Sequence, residues 1–419
     1  MRERVIFHVD VNSAFLSWEA HYRLKVLGEE VDLREIPSAI GGDQKKRRGV
    51  VLAKSTPAKA FNVQTGEPIA FALSKCPHLT IVPPNFSIYV KYSRALIRLL
   101  KEYSPQVEQY SIDEAFMDMT GTEGLYGDLT QMAHTIKDRI YEELGFTVNI
   151  GISSNKLLAK MAGDFKKPNL VHTLFPDEIE EKMWPLPVRN LFFVGESTEK
   201  KLKLLGIKTI GDLARADVKL LKQHLKKQGE IIYQYANGID FKKVEEEAAA
   251  HKGYGNSMTI PYDVTSSEQA HLVLLSLCET VGARLRSDKV EAGCISVNLV
   301  DCHFESSSMQ MTLSQGTHKT KDLYTYACQI FEKLWDHQTP IRLLGVQGTK
   351  LQDTQMHQIS FFETPKDTRH QQLDKAIDAI RNKYGENAIQ RAAFLGSKLD
   401  HMAGGISKEK KTSLTKSQK

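Results

Sequence analysis

Short apolar runs and longer amphipathic stretches alternate along the first part of the chain. Runs rich in valine and isoleucine predict buried strands, and apolar residues at spacings of three and four predict helices. The predicted elements are strands at 5–11 and 148–152, a hairpin at 107–119, and helices at 13–27, 86–103 and 129–144. This order predicts a ferredoxin-like α+β domain, an antiparallel sheet with helices packed on one face.

Two other patterns follow in the second half of the chain. From residue 168, helical segments separated by Gly and Pro predict a compact helical domain, and an acidic, helix-prone stretch at 240–252 predicts a linker. The last domain has two βαβ-like halves, and Thr265 with Glu268 has the spacing of a capping box that opens a helix. Its predicted elements are strands at 254–264, 294–300, 309–313 and 341–351 and helices at 265–285 and 323–335.

Two adjacent carboxylates, Asp113 and Glu114, stand inside an apolar run that extends from Val107 to Met119. Acidic residues are rarely buried unless they are paired or bind a metal. Adjacent side chains of a straight strand point to opposite faces, so both acids can serve one site only if the run bends at a hairpin tip. An isolated Asp-Glu pair is more often a solvated hairpin tip, and a third ligand would favour a metal site.

Asp10, near the end of the first predicted strand, is the candidate for this third ligand. Three carboxylates on neighbouring strand ends form a hard-oxygen site that suits magnesium. Such a site takes its remaining ligands from water and from substrate phosphates.

Three runs of residues resemble the bacterial branch of the Y family of translesion DNA polymerases. They are His8-Val9-Asp10-Val11-Asn12-Ser13-Ala14-Phe15, Ser111-Ile112-Asp113-Glu114-Ala115-Phe116 and Gly151-Ile152-Ser153-Ser154-Asn155-Lys156-Leu157-Leu158-Ala159-Lys160. Their order and spacing fit the family together, which is more specific than any one short motif. The resemblance covers roughly residues 1–395.

The resemblance implies a right-hand polymerase of several domains, as the chain length of 419 residues also favours. The implied domains are a palm at 1–167 with small fingers inserted at about 17–84, a helix-hairpin-helix thumb at 168–240, a linker at 241–252, an α+β little finger at 253–352, and a segment at 353–419 that holds a clamp-binding peptide, a helix and a basic tail.

The resemblance also implies template-directed DNA synthesis of low fidelity by two-metal nucleotidyl transfer. Asp10 and Asp113 are expected to bridge two magnesium ions. Glu114 is expected to complete the site that activates the primer hydroxyl, and Val11 to contribute its backbone carbonyl. The expected substrates are a primed DNA template and deoxynucleoside triphosphates, and the chain carries no further acidic motif typical of a proofreading nuclease.

Four residues are expected to bind the nucleotide. Phe15, five positions after Asp10, matches the family's steric gate, whose ring clashes with a 2′-hydroxyl. Lys160 matches the family's phosphate lysine, at the start of a helix whose dipole favours anions. Thr56 and Lys59 occupy the places where the family commonly has Tyr-x-x-Arg, so positive charge is kept but bidentate geometry is lost.

The stretch Gln358-Ile359-Ser360-Phe361-Phe362 resembles the peptide by which bacterial proteins bind the sliding clamp. Gln358 would be followed by three apolar anchors, Ile359, Phe361 and Phe362, which an extended segment would insert into a groove of the clamp. Tethering to the clamp would raise the local concentration of the protein on DNA. The alternative is a strand that packs on the last domain.

The thumb carries the clearest charge signal. Residues 189–227 hold ten Lys or Arg and four acids, although five lysines against one glutamate in 401–419 account for most of the net charge of +5. The stretch from Phe193 to Ile207 predicts a helix-hairpin-helix whose backbone amides bind DNA phosphate. Phe193 stands where the family often has the first glycine of Gly-x-Gly, which puts tight phosphate contact in doubt.

Five cysteines without Cys-x-x-Cys spacing predict reduced side chains, and no apolar run has the length of a membrane span. The chain is therefore expected to be a cytoplasmic monomer that does not bind membranes.

Two other functions remain open at this stage. One is a two-metal nucleotide cyclase on a similar palm, which Gly41-Gly42-Asp43 superficially favours. The other is a non-catalytic DNA-binding scaffold held on the clamp.

Overall fold

The computed structural model describes residues 4–42, 49–246, 250–354, 365–397 and 399–402. The strands are β1 (Ile6–Val11), β2 (Ser38–Gly41), β3 (Val51–Lys54), β4 (Thr80–Val82), β5 (Val107–Gln109), β6 (Glu114–Asp118), β7 (Val148–Ser153), β8 (Val171–Thr173), β9 (Gly253–Val264), β10 (Val290–Asp301), β11 (Ser306–Thr317) and β12 (Ile341–Asp353). The helices are α1 (Ala14–Tyr22), α2 (Thr56–Ala60), α3 (Ile69–Lys75), α4 (Phe86–Leu100), α5 (Glu123–Tyr126), α6 (Leu129–Leu144), α7 (Lys156–Gly163), α8 (Glu196–Leu204), α9 (Ile210–Ala214), α10 (Val218–Leu225), α11 (Lys227–Ala236), α12 (Ser267–Ser287), α13 (Thr320–Leu334) and α14 (Pro365–Tyr384). None of these helices is long and apolar enough to cross a membrane.

The amino-terminal half is organised around a five-stranded sheet in the order β5-β6-β1-β7-β8. β1 pairs antiparallel with β6 on one side and with β7 on the other, whereas β8 pairs parallel with β7. The predicted palm boundary at residue 167 is therefore too early, because β8 belongs to this sheet.

Helices cover both faces of this sheet. Phe7, Val9 and Val11 of β1 enter a buried core with residues of α1, α4 and α6. The expectation that the helices lie on one face is wrong, because α7 packs against β1 and β7, and its Ala159 is buried with Ile6 and Phe116 on the other face. Gly151 of β7 permits this approach, since a Cβ there would lie 2.0 Å from the carbonyl oxygen of Ala159.

The fingers contain a three-stranded sheet in the order β3-β2-β4, covered by the short helices α2 and α3. α1 belongs to two cores at once. Trp18 is buried in the palm core, whereas Leu16 and Ala20 are buried against Ile40 and Ala53 of the fingers. The predicted start of the fingers insertion, at about residue 17, falls within α1, which packs against both domains.

The thumb contains α8 to α11, and its apolar core also includes Leu157, Leu158 and Met161 of α7. The hairpin before α8 holds Phe193 at a φ of 77°, in the left-handed region that bulky residues rarely adopt. Its ring is 53% exposed.

The little finger has a second sheet in the order β11-β10-β12-β9. β9 and β10 both pair antiparallel with β12, so they run parallel to each other, as in the predicted βαβ-like halves. The predicted cap of the first helix is wrong by one residue. The side chain of Ser266, and not that of Thr265, accepts a hydrogen bond from the backbone N–H of Gln269.

α14 confirms the predicted helix near the C-terminus and packs back onto α12 of the little finger. Arg381 of α14 lies 2.6 Å from the carboxylate of Glu279, which is 2% exposed and also binds Arg391. Arg286 of α12 lies 2.6 Å from Asp378. These pairs make the segment part of the little-finger body.

Gly151→Ala is expected to lower the free energy of unfolding by about 1–3 kcal/mol, because the added methyl group overlaps the backbone of α7. Gly124→Ala in α5 is the matched control, since nothing lies within 4 Å of a Cβ at that position. Chemical denaturation of both variants measures the difference. Equal stability of Gly151→Ala and the unchanged protein would contradict the close packing of α7.

Candidate active site

The pairing of β1 with β6 places two predicted site residues on one face of the palm sheet. Asp10 lies directly opposite Glu114 in the antiparallel register. Since side chains alternate along a strand, Asp10 shares its face with His8, while Val9 and Val11 point into the helical core. The two carboxylates are therefore cross-strand neighbours outside that core.

The third carboxylate reaches the same place through the loop between β5 and β6. The backbone N–H of Val11 donates to the carbonyl oxygen of Asp113 over 3.1 Å and ties this loop to the end of β1. The hydroxyl of Ser111 donates to the Asp113 carboxylate over 2.6 Å. Because Asp113 lies in the loop and Glu114 begins β6, the predicted bend is present.

Asp10 is 8% exposed, and both its burial and the neighbouring charges change the pKa of its carboxyl group. Burial raises its pKa to about 6, with added repulsion from Glu114 and Asp113, while the ammonium of Lys167 acts in the opposite direction. Lys167 binds Asp10 directly and lies 2.8 Å from Asp164. Sequence reasoning missed Lys167, for which the only signal was the basic pair Lys166-Lys167, a few residues after the third family motif.

Lys160 is placed differently from the prediction. It lies in the last turn of α7, so the expected position at a helix start is wrong. Its ammonium is 2.6 Å from Glu114 and 5.6 Å from the ring centres of Tyr110 and Phe192. His8 is fully buried beside this pair, with its Nε2 4.0 Å from Glu114, and burial holds the pKa of its imidazole well below the usual value.

A cavity of about 470 Å³ opens between the palm and the fingers. Asp10 and Asp113 line its palm side, whereas Glu114 and Lys160 do not line it. The further lining residues with a predicted or evident role are Val11, Phe15, Lys54, Thr56, Lys59 and Lys167. The structure thus gathers most of the predicted nucleotide-binding residues around one space.

The ring of Phe15 is held in the cavity wall by other aromatic residues. It stacks on Tyr89 with ring centres 4.8 Å apart and meets Phe86 edge to face at 6.0 Å. Tyr89 is itself buried, and its hydroxyl donates to Glu19 over 3.3 Å. A ring braced on two sides has little freedom to move away from a ligand in the cavity.

The acidic residues fit a divalent cation by their chemistry. Side-chain oxygens of Asp10, Asp113 and Glu114, with the carbonyl of Val11, form the hard-oxygen donor set that magnesium prefers. Among the residues that the structure describes, no group of three His, Cys, Asp or Glu side chains is close enough to form a metal site as it stands. Asp10 and Glu114 are instead bound to the ammonium groups of Lys167 and Lys160.

The predicted clamp-binding residues Gln358, Ile359, Phe361 and Phe362, and Asp43 of the Gly-Gly-Asp triplet, lie outside the described residues. The thumb hairpin is described. There the carbonyl of Val194 accepts a hydrogen bond from Arg189 over 3.0 Å, and the carbonyl of Phe193 accepts one from Gln228 over 3.3 Å.

A palm sheet with acidic strand ends, small fingers, a helical thumb and an additional sheet domain define a right-hand polymerase. Family models support this class along most of the chain. Residues 9–164 match the impB/mucB/samB family, and residues 251–361 match the C-terminal domain of that family. Residues 189–240 match a model described as the thumb domain of DNA polymerase iota.

Individual relatives give the same result. A protein named DNA polymerase IV from Clostridium acetobutylicum is 48% identical over 94% of this chain and 98% of its own length. Another of that name from Acetivibrio thermocellus is 36% identical over 94% of this chain and 98% of its own length. A solved Y-family DNA polymerase chimera matches the fold with a TM-score of 0.71, at 22% identity, over 83% of this chain and 99% of its own.

The chain therefore belongs to the Y family of DNA polymerases, and it is a DNA-directed DNA polymerase of the translesion type.

Proposed function

We propose that this polymerase extends a DNA primer with low fidelity by two-metal nucleotidyl transfer and works on damaged templates. The observation that supports the proposal is that Asp10 lies opposite Glu114 across β1 and β6, while Asp10 and Asp113 line a cavity together with Phe15 and lysines. Divalent-metal catalysis is general in this family, and the donor set is chemically suited to it.

Asp10, Asp113 and Glu114, together with the backbone carbonyl of Val11, would hold the two magnesium ions. Bound there, the ions would make the primer hydroxyl nucleophilic and neutralise charge on the triphosphate. The tie between Val11 and Asp113 keeps two of these ligands in a fixed relation. The strand register does the same for Asp10 and Glu114.

The lysines take two different parts in this proposal. Lys167 lines the cavity and binds Asp10, so its ammonium is close enough to pass to a phosphate when Asp10 gains another partner. Lys59 faces the same cavity from the fingers. Lys160 contacts Glu114 from outside the cavity and neutralises its charge. The predicted contact of Lys160 with the triphosphate stays a prediction.

Low fidelity and tolerance of lesions follow from the small fingers. Their sheet has only short strands, and α2 and α3 are five and seven residues long. Such a lid can exert little shape selection on the nascent base pair. Phe15 instead selects the sugar, since a rigid ring leaves no room for a 2′-hydroxyl.

The remaining partners are a primed DNA template, held by the basic thumb and the little finger, and a sliding clamp, bound by the peptide at 358–362. We propose that the chain acts as a monomer.

A nucleotide cyclase would not need the thumb and little finger. A scaffold without activity would not need three converging carboxylates. Incubation with a primed template and deoxynucleotides separates these functions, because only a polymerase extends the primer.

Asp113→Ala is expected to reduce primer extension by at least about 100- to 1,000-fold, because a charge that stabilises the reacting groups is lost. Glu123→Ala removes an exposed carboxylate in α5 and serves as the control. Thermal melting of both variants checks that they fold. Extension by Asp113→Ala within tenfold of the control would contradict the assignment.

Phe15→Ala is expected to reduce discrimination against ribonucleotides by about 10- to 100-fold while DNA synthesis continues. The measurement compares kcat/KM for one deoxynucleotide and its ribonucleotide. Phe71→Ala, which changes an aromatic ring of the fingers that is 64% exposed, is the control. Unchanged sugar discrimination would remove the gate role from Phe15.

Phe361→Ala combined with Phe362→Ala is expected to abolish stimulation by the sliding clamp, since apolar anchors carry most of the energy of such contacts. Synthesis without the clamp should be unchanged, because the two positions are far along the chain from the carboxylates. Primer extension with and without clamp measures both effects. Full stimulation of the double variant would favour the alternative of a packed strand.

A further inference from the structure

The fingers wall of the cavity contains a second lysine, Lys54, whose role the function above leaves open. Leu52 and Lys54 of β3 are two residues apart, so they point to the same side of the strand, and both line the cavity. Lys54 immediately precedes Ser55, whose side chain caps α2 by accepting from the N–H of Ala58. A rigid strand and a capped helix thus fix the base of the Lys54 side chain.

The charges around Lys54 are mostly positive. Its ammonium donates to the backbone carbonyl of Val63, a neutral acceptor. Lys59 and Lys75 repel it, and the nearby carboxylate of Glu67 is already bound by Lys75 and by the N–H of Gln64. Burial, followed by the charge of Lys59, lowers the pKa of Lys54.

An anion bound in the cavity would reduce the repulsion between Lys54 and the neighbouring lysines. Within the part of the chain that is described, no carboxylate forms an ion pair with Lys54 or Lys59. Two cations that repel each other at the wall of a cavity gain more from a shared polyanion than either gains from water. The ammonium of Lys54 is attracted more strongly to a negatively charged phosphate than to the neutral carbonyl of Val63, so exchange favours the phosphate.

The neighbouring positions explain why a further cation is needed here. Thr56 lacks the phenol hydroxyl of the tyrosine that the family commonly has at this place. Lys59 lacks the bidentate fork of the corresponding arginine. The fingers of this chain therefore offer fewer fixed donors to a triphosphate from these two positions.

We propose that Lys54 binds the triphosphate of the incoming nucleotide together with Lys59 and supplies the contact that Thr56 and Lys59 do not provide. This assignment rests on the polymerase function proposed above. It makes Lys54 a substrate-binding residue of the fingers, opposite the carboxylates of the palm.

Lys54→Ala is expected to raise the KM for a deoxynucleoside triphosphate by about 10- to 100-fold, because a charge-assisted hydrogen bond is lost. The value of kcat should change by less than about threefold, since substrate and transition state lose the same contact. Lys54→Arg keeps the charge and should stay within about threefold of the unchanged protein. Lys91→Ala removes an exposed charge from α4 and is the matched control.

A second readout separates phosphate binding from support of the fingers loop. Inorganic tripolyphosphate has no sugar or base, and its inhibition constant against the nucleotide should rise in Lys54→Ala by the same factor as KM. In the background Thr56→Tyr plus Lys59→Arg, which restores the family pattern, the effect of Lys54→Ala should shrink to about threefold or less.

A KM and an inhibition constant within twofold of the Lys91→Ala control would overturn the assignment of Lys54. So would a fall in kcat and melting temperature with an unchanged inhibition constant, because that pattern indicates a structural role alone. Both outcomes leave the polymerase function intact as long as extension still depends on Asp113. Failure of the unchanged protein to extend a primer would instead contradict the function itself.

Discussion

The register in which β1 pairs with β6 decides where negative charge collects in this protein. A slip of one residue would turn Asp10 toward the apolar core and separate it from Glu114. In the observed register the two carboxylates face each other and the Asp113 loop closes over the strand end. Their repulsion is offset from two directions, by Lys160 on α7 and by Lys167 in the turn beyond it. Sheet, helix and turn therefore act as one electrostatic unit.

The cavity is polarised as a result. Its palm side carries carboxylates, and its fingers side carries Lys54 and Lys59. In the function proposed above, the phosphates of a nucleotide would lie nearer the lysines, and the cations would separate them from the carboxylates. The ring of Phe15, stacked on Tyr89, forms part of the cavity wall.

The sequence predicted what strand periodicity and burial determine. The placement of Asp10 and Glu114 on neighbouring strands was predictable, because acidic residues inside apolar runs are rarely buried without a partner. The position of α7 could not be predicted, because the close packing of its backbone against Gly151 produces no periodic pattern in the sequence. Lys167 was missed since its contact with Asp10 depends on how the chain turns after α7. The contact of α14 with α12 could not be predicted from the sequence either. Residues such as Arg381 are usually solvated, whereas here Arg381 pairs with the buried Glu279 of α12.

The double membership of α1 has a mechanical consequence. Trp18 anchors this helix in one core, and Leu16 and Ala20 anchor it in the other. Rotation of the fingers relative to the palm would expose apolar surface that one of these interfaces buries, so it is opposed by the hydrophobic effect. The part of the cavity wall that α1 forms is therefore held by both domains at once, through Phe15 and Leu16.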